Sequence, residues 1–332
     1  MDLRGRHGEE EVVAVPSKAV RQLIAAVGVF VVVAAGIAAL LVYGGEDEPA
    51  TPPGTAVPVP PQADHVLVVK IDNVAAAKPQ TGLSAADVVY VEPVEGGLTR
   101  LAALYSARLP DVVGPVRSAR ETDIQLLAQY GHPVLAYSGG APEIQPLLRR
   151  APMMLVTDRD APRAFYRDPD RRIPHNLYVR PGRLPRGGGG PGPRHVFQFG
   201  AAPAGGTATT RHDVGYRAAS YRFSWSPEAG RWVVSMNDEP LITTESGRVG
   251  AATVVVQRIR VREGMQVRDA AGQVSPVAIT VGDGPATVLR DGMAYEGRWS
   301  RPAAGEGTRF VTGSGRPLPL APGPVWVLLV PR

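Results

Sequence analysis

Arg117 and Arg120, three residues apart, are the pair in this sequence best suited to hold an anion. Ser118-Ala119-Arg120-Glu121 reads as a capping box, with Ser118 as N-cap and Glu121 at the third helical position. A helix start carries about half a positive charge, so cations there are unfavourable by ~0.3–1 kcal/mol each unless an anion sits among them. That anion is either a ligand phosphate or carboxylate, or an internal carboxylate from Glu92, Glu95 or Asp123.

A second group surrounds Gly96-Gly97. With these glycines as a two-residue hairpin turn, Glu95 and Arg100 share one face as a cross-strand ion pair and Glu92 takes the other. Paired carboxylates about 5–9.5 Å apart are also the equipment of glycoside cleavage, but opposite faces work against it unless Pro93 twists the strand. His175-Asn176 follows Pro174 in a loop with Arg171 and Arg172. There it serves either as an acid/base or anion contact, or as a brace for the loop backbone. The candidate ligand-binding residues are therefore Arg117, Arg120, Arg100, His175, Asn176, Glu92 and Glu95, with no catalytic residue assigned.

Other chemistries lack equipment. There is no cysteine, which removes disulfides, thiolate nucleophiles and thiolate metal sites. The six histidines show no metal-binding spacing, an oxygen-ligand site on Asp72, Glu92 or Asp123 has no motif behind it, and no cofactor is expected. Ser138-Gly139-Gly140 lacks the flanking glycine of a nucleophile elbow and reads as a tight turn. The formal charge of +5 comes from scattered arginines without interleaved aromatics, so no nucleic-acid partner is expected. Trp225, Trp232, Trp299 and Trp326 fall in strand-like runs and read as core rather than a sugar-stacking platform.

The elements that must position these residues begin beyond an anchor. Leu23–Tyr43 is an uncharged run of 21 residues. As a helix it extends ~32 Å, which matches a hydrocarbon core of about 30 Å. Lys18 and Arg21 before it, and Glu46, Asp47 and Glu48 after it, predict a cytoplasmic tail (1–22), a single-pass transmembrane helix (23–43) and an extracytoplasmic remainder. Residues 44–63 hold six prolines and read as an extended spacer. Residues 64–184 alternate Val-rich strands with short helices, which predicts a mixed α/β sheet domain. A Gly/Pro-rich linker (185–210) leads to a mostly β domain (211–332), expected as a small sandwich or open barrel. The fold class is α+β.

Several stretches carry a family resemblance. Ile71-Asp72-Asn73, Pro79-Gln80-Thr81-Gly82-Leu83, Val94-Glu95-Gly96-Gly97-Leu98-Thr99-Arg100, Gly114-Pro115-Val116-Arg117-Ser118-Ala119-Arg120 and Pro174-His175-Asn176-Leu177-Tyr178 resemble the YerB-like family of bacterial envelope proteins (domain of unknown function 3048). Val254-Val255-Val256-Gln257, Gly282-Asp283-Gly284, Trp299 and Trp326 extend the likeness to that family's C-terminal part. Members are described as lipoproteins, whereas this chain has no cysteine to acylate. The resemblance implies a fold plan and an extracytoplasmic place, with no reaction attached. The expected function is a non-enzymatic binding or accessory protein of the cell envelope that recognises an anionic small molecule, a cell-wall fragment or an envelope protein. The alternative is a wall-modifying hydrolase using Glu92 or Glu95 with His175.

Overall fold

The computed structural model describes residues 65–332 except 188, 246, 269–271 and 273. The expected tail, transmembrane span and Pro-rich spacer lie outside these residues; among the described ones no helix is long and apolar enough to cross a membrane. The described residues cluster as one compact unit.

The Val-rich runs fold as expected: β1 (Leu67–Ile71), β2 (Val88–Pro93) and β3 (Thr99–Tyr105), each buried along its whole length. Strands apolar on both faces are stable only when both faces are covered. α1 (Glu121–Leu127) leads to β4 (Val134–Ala136), and α2 (Gln145–Arg150) to β5 (Met154–Val156). A small hairpin of β6 (Phe165–Arg167) and β7 (Leu177–Val179) carries the His175 loop.

The later segment does not close on itself as a sandwich or barrel. Strands β8 (Arg211–Gly215), β9 (Ser220–Ser226) and β10 (Arg231–Met236) form the heart of a separate five-stranded sheet. β11 (Thr253–Arg268), β12 (Val274–Ile279), β13 (Gly282–Arg290), β14 (Met293–Arg301), β15 (Arg309–Thr312) and β16 (Val325–Pro331) join the strands of the first segment instead. The result is a twelve-stranded mixed sheet whose main path runs β15-β14-β13-β11-β16-β2-β3-β1-β4-β5. The reason lies in β16, whose VWVLLV is buried along its length, so its backbone N–H and C=O groups need a strand at each edge. It finds β11 and β2, both parallel, with Val325 opposite Thr253 on one side and Val88 on the other.

Three layers follow. One face of the long sheet (Val69, Val89, Ala103, Trp326, Leu328) packs on Tyr221, Phe223 and Trp232 of the five-stranded sheet. The other (Val68, Tyr90, Ala102, Val327, Leu329) packs on Leu126 and Leu127 of α1 and Leu148 of α2. Trp232, Trp299 and Trp326 are core residues, and Trp225 packs partly buried against the same core. Inside the expected linker, Pro193–Val196 makes a helical turn, and Phe197 is buried and stacked on Phe310 at 6.1 Å.

Candidate functional site

Charged residues enter the helix-side face of the sheet at one end of β1, β2 and β3. Glu92 is registered with Arg100, and Ile71 and Val91 both with Leu101. Alternation then puts Lys70, Asp72, Glu92 and Arg100 on the face that α1 covers. All four are buried.

The inner group is closed to solvent, although Glu92 Oε2 has no hydrogen-bond partner. Lys70 Nζ donates to Glu92 Oε1 at 2.8 Å and to Asp123 Oδ1 at 2.7 Å, with all three side chains fully buried. The other Asp123 oxygen accepts the backbone N–H of Arg120 at 2.7 Å. Burial, reinforced by the Asp123 charge, pushes the Glu92 carboxyl up to about 8 against the pull of Lys70. Glu92 therefore keeps its proton to higher pH than an ordinary carboxyl.

The outer group begins one strand step away. Asp72 is fully buried, and its Oδ1 accepts the Asn73 backbone N–H at 2.9 Å. Asn73 in turn bonds Thr99 at 3.0 Å and the Tyr221 hydroxyl at 2.5 Å, which ties the end of β1 to the five-stranded sheet. Oδ2 of Asp72 faces His175 Nδ1 at 2.6 Å and Arg117 Nε at 3.1 Å. The arginine is near enough to pair with the carboxylate but is not aligned as a hydrogen bond. Arg120 grips Glu95 through both Nε and Nη2, at 2.7 and 3.0 Å. Burial opposes ionisation of Glu95, but the bonds and charge of Arg120 prevail and hold its carboxyl below the usual range.

Arg100 is different. Its residue is 6% exposed, yet Nε and Nη1 have no hydrogen-bond partner. Burial, together with the neighbouring Arg120 and Arg117 charges, lowers its pKa to about 10 even with Asp72 and Glu95 close by. It still carries its proton at neutral pH. Three guanidiniums thus face two carboxylates, and the surplus charge sits on the most buried of the three. An uncompensated buried ion is among the most costly features a fold can hold.

These contacts revise several expectations. The turn after β2 is a longer Glu95–Gly97 segment rather than a two-residue hairpin, with left-handed φ of 71° at Gly96 and 76° at Gly97. A Cβ on Gly97 would lie 2.5 Å from Arg217 Cβ, so the tight path needs glycine. The longer turn places Glu92, not Glu95, across from Arg100 and frees Glu95 to reach Arg120. Helix α1 starts two residues late: Arg120 is its N-cap, and Asp123 at the third position closes the capping bond to the Arg120 N–H. Ser118 remains outside the helix, 3.5 Å from the Ser138 hydroxyl.

Arg100, Arg117, Arg120, Glu95 and His175 come together; Glu92 belongs to the inner triad. Asn176 does not join them. Its side chain accepts from Arg167 at 2.8 Å and donates to the Asp168 carbonyl at 3.2 Å, bracing the β6–β7 hairpin. Arg171 fastens the same loop over the chain after β1 by donating to the carbonyls of Ala77 and Pro79. Lys70 and Asp72 organise both groups. The trace of Lys70 in the sequence is a lone cation inside LVVKI, where a buried strand tolerates none without partners.

The hairpin of β11 and β12 lies against α1 beside this site. Ala278 N–H donates to the Thr122 hydroxyl at 3.0 Å, and Thr280 N–H to Gln125 at 2.9 Å. Glu121 accepts the Met265 N–H at 3.1 Å and pairs with Arg262.

Known proteins share this plan. The family model "Protein of unknown function (DUF3048) N-terminal domain" matches residues 54–190, and its C-terminal counterpart matches residues 212–327. "Putative lipoprotein YerB" of Bacillus subtilis (strain 168) is 26% identical over 276 residues, spanning 80% of this chain and 81% of that protein. The crystal structure of YerB from Bacillus subtilis superposes with a TM-score of 0.67 at 22% identity, covering 81% of this chain and 92% of the other, so the fold is shared. With both family models matched in order along most of its length, the chain belongs to the DUF3048 family of proteins of unknown function.

Proposed function

We propose that this protein is a membrane-anchored, extracytoplasmic accessory protein of the bacterial cell envelope that binds an anionic group at Arg100 and Arg117, with the charge of Arg120 beside them and His175 at the rim. The observation that carries the reading is Arg100: a guanidinium buried without a partner, beside two others, with one carboxylate too few. An incoming anion supplies the missing charge and the missing acceptors. The envelope setting is supported by the uncharged run Leu23–Tyr43 with its flanking charges and by a relative whose name is that of a lipoprotein.

A hydrolase built on Glu92 or Glu95 with His175 has less support. Glu92 is sealed behind Lys70 and Glu95 is held by both nitrogens of Arg120, so neither carboxylate is free to act on a polymer.

The test is Arg100→Met in the purified full chain in detergent. With no anion present, removing a buried unpaired charge while keeping side-chain volume should stabilise the fold by about 1–4 kcal/mol. The same change should abolish any anion-induced rise in melting temperature that the unaltered protein shows over chloride of equal ionic strength. A variant that melts lower than its parent would mean that Arg100 is internally compensated, and the reading would fail.

A further inference from the structure

The unmet donors of this site also discriminate between kinds of anion. Nε and Nη1 of Arg100, both without acceptors, belong to different edges of the guanidinium. A flat carboxylate engages one edge as a two-pronged fork and leaves the other unmet. Arg117 uses Nε toward Asp72, and neither of its terminal nitrogens has a hydrogen-bond acceptor among the described residues. His175 has committed Nδ1 to Asp72, leaving Nε2 as a further polar atom, and its side chain is 20% exposed, so the site opens on that flank. Arg100 on β3, Arg117 before α1 and His175 on the β6–β7 loop thus gather around Asp72, the last two by direct contact and Arg100 through its charge.

We infer that the anion recognised here is a phosphate group, as a monoester or diester, rather than a carboxylate; this rests on the anion-site reading above. A phosphate offers several tetrahedrally disposed acceptor oxygens, enough to meet both edges of Arg100 and still reach Arg117, and His175 Nε2 when the ring carries both protons. The carboxylate role in this site is already filled by Asp72 and Glu95, each held by its own cation. Two sources present the same chemistry outside the membrane: a soluble or polymeric glycerol phosphate, and a phospholipid headgroup.

The experiment is calorimetric titration of the full chain in detergent at fixed ionic strength. The probes are sn-glycerol 3-phosphate, glycerophosphoglycerol, the short-chain lipid dihexanoyl phosphatidylglycerol, and acetate. Phosphate probes should bind at least about tenfold more tightly than acetate, a difference of ~1.4 kcal/mol. Arg100→Lys, which keeps the charge but loses the second edge, should remove that preference while circular dichroism shows the fold intact. Equal binding of glycerophosphoglycerol and the lipid assigns recognition to the phosphodiester itself; binding of the lipid alone assigns a headgroup site that also needs its acyl chains. Acetate binding as tightly as phosphate, with both lost in Arg100→Met, would overturn the phosphate assignment and leave the anion site standing. No binding of any probe would overturn both.

Discussion

The inner and outer charge groups sit one strand step apart and are built to opposite ends. Lys70, Glu92 and Asp123 close on one another at 2.7–2.8 Å with no solvent access. Arg100, Arg117 and Arg120 share two carboxylates among three cations, and Arg117 stays 24% exposed. Both groups stand at the same end of one sheet, so the difference is not one of place. It lies in the count of charges: the inner group can neutralise itself by keeping a proton on Glu92, whereas guanidiniums cannot shed theirs near neutral pH. A structural charge cluster and a binding cluster are distinguishable by whether the protein can balance its own books.

Breaking the inner group should have the largest effect. Lys70→Met strands Glu92 and Asp123 in the core, and the expected loss is about 3–5 kcal/mol in urea denaturation. A loss below about 1 kcal/mol would show that the triad relaxes and is no more structural than its neighbour. Next comes Arg120→Ala, which leaves Glu95 largely buried without its fork and should cost about 1–3 kcal/mol. If Arg120→Ala proves neutral, Glu95 has turned to Arg100, and the charge surplus is shared across the site.

The two glutamates sharpen the contrast through pH. Glu92 holds its proton up to about 8 in the fold but only to its ordinary 4.5 when unfolded. Between those values the folded state binds more protons, so this group's contribution falls as pH rises, by at most about 1.4 kcal/mol per unit, and levels off above the folded value. Glu95, held low by Arg120, has the opposite sign: its contribution is lost as pH falls through its lowered folded value. Glu92→Gln should flatten the side of the stability profile between pH 4.5 and about 8, and Glu95→Gln the more acid side below it. Should the two variants alter the same side, the separation into two groups is wrong. Smallest in stability is Arg117→Ala, expected within about 1 kcal/mol because the pair is partly exposed and His175 remains on Asp72. Its effect should appear in anion affinity instead, and a large fall in melting temperature would move Arg117 to the structural side.

Much of this was legible in the sequence. Val-rich runs declare β1, β2 and β3, and Arg117 and Arg120 stand out by type and spacing. The internal-carboxylate alternative for those arginines also holds in part, since Glu95 takes Arg120. What escaped is register and partnership. Gly96-Gly97 signals a turn but not its length, and the added residues exchange the places of Glu92 and Glu95 relative to Arg100. Ser118 has the right chemistry for an N-cap, yet Asp123 captures the Arg120 N–H and sets the helix start. Lys70 is invisible as a site residue until β1 lies beside β3 and α1 crosses over it, since both partners are distant in sequence. Nor does any local signal say that the later β-rich segment donates a strand to the earlier sheet, because parallel pairing between remote strands leaves no turn behind it.

That donated strand has a consequence for how the protein is made. β16 bridges β11 and β2, so the sheet carrying Lys70, Glu92 and Arg100 stays open at β2 until Val325–Pro331 arrives. A nascent chain emerging at about 5–20 residues per second must hold this early sheet incomplete for roughly ten seconds or more while the intervening residues are made. If it is also threaded across a membrane, the waiting edge of β2 is exposed on the far side, where ATP-driven chaperones are absent. Any product that stops short of β16 lacks the keystone of its sheet, so premature termination should yield a protease target rather than a half-working domain.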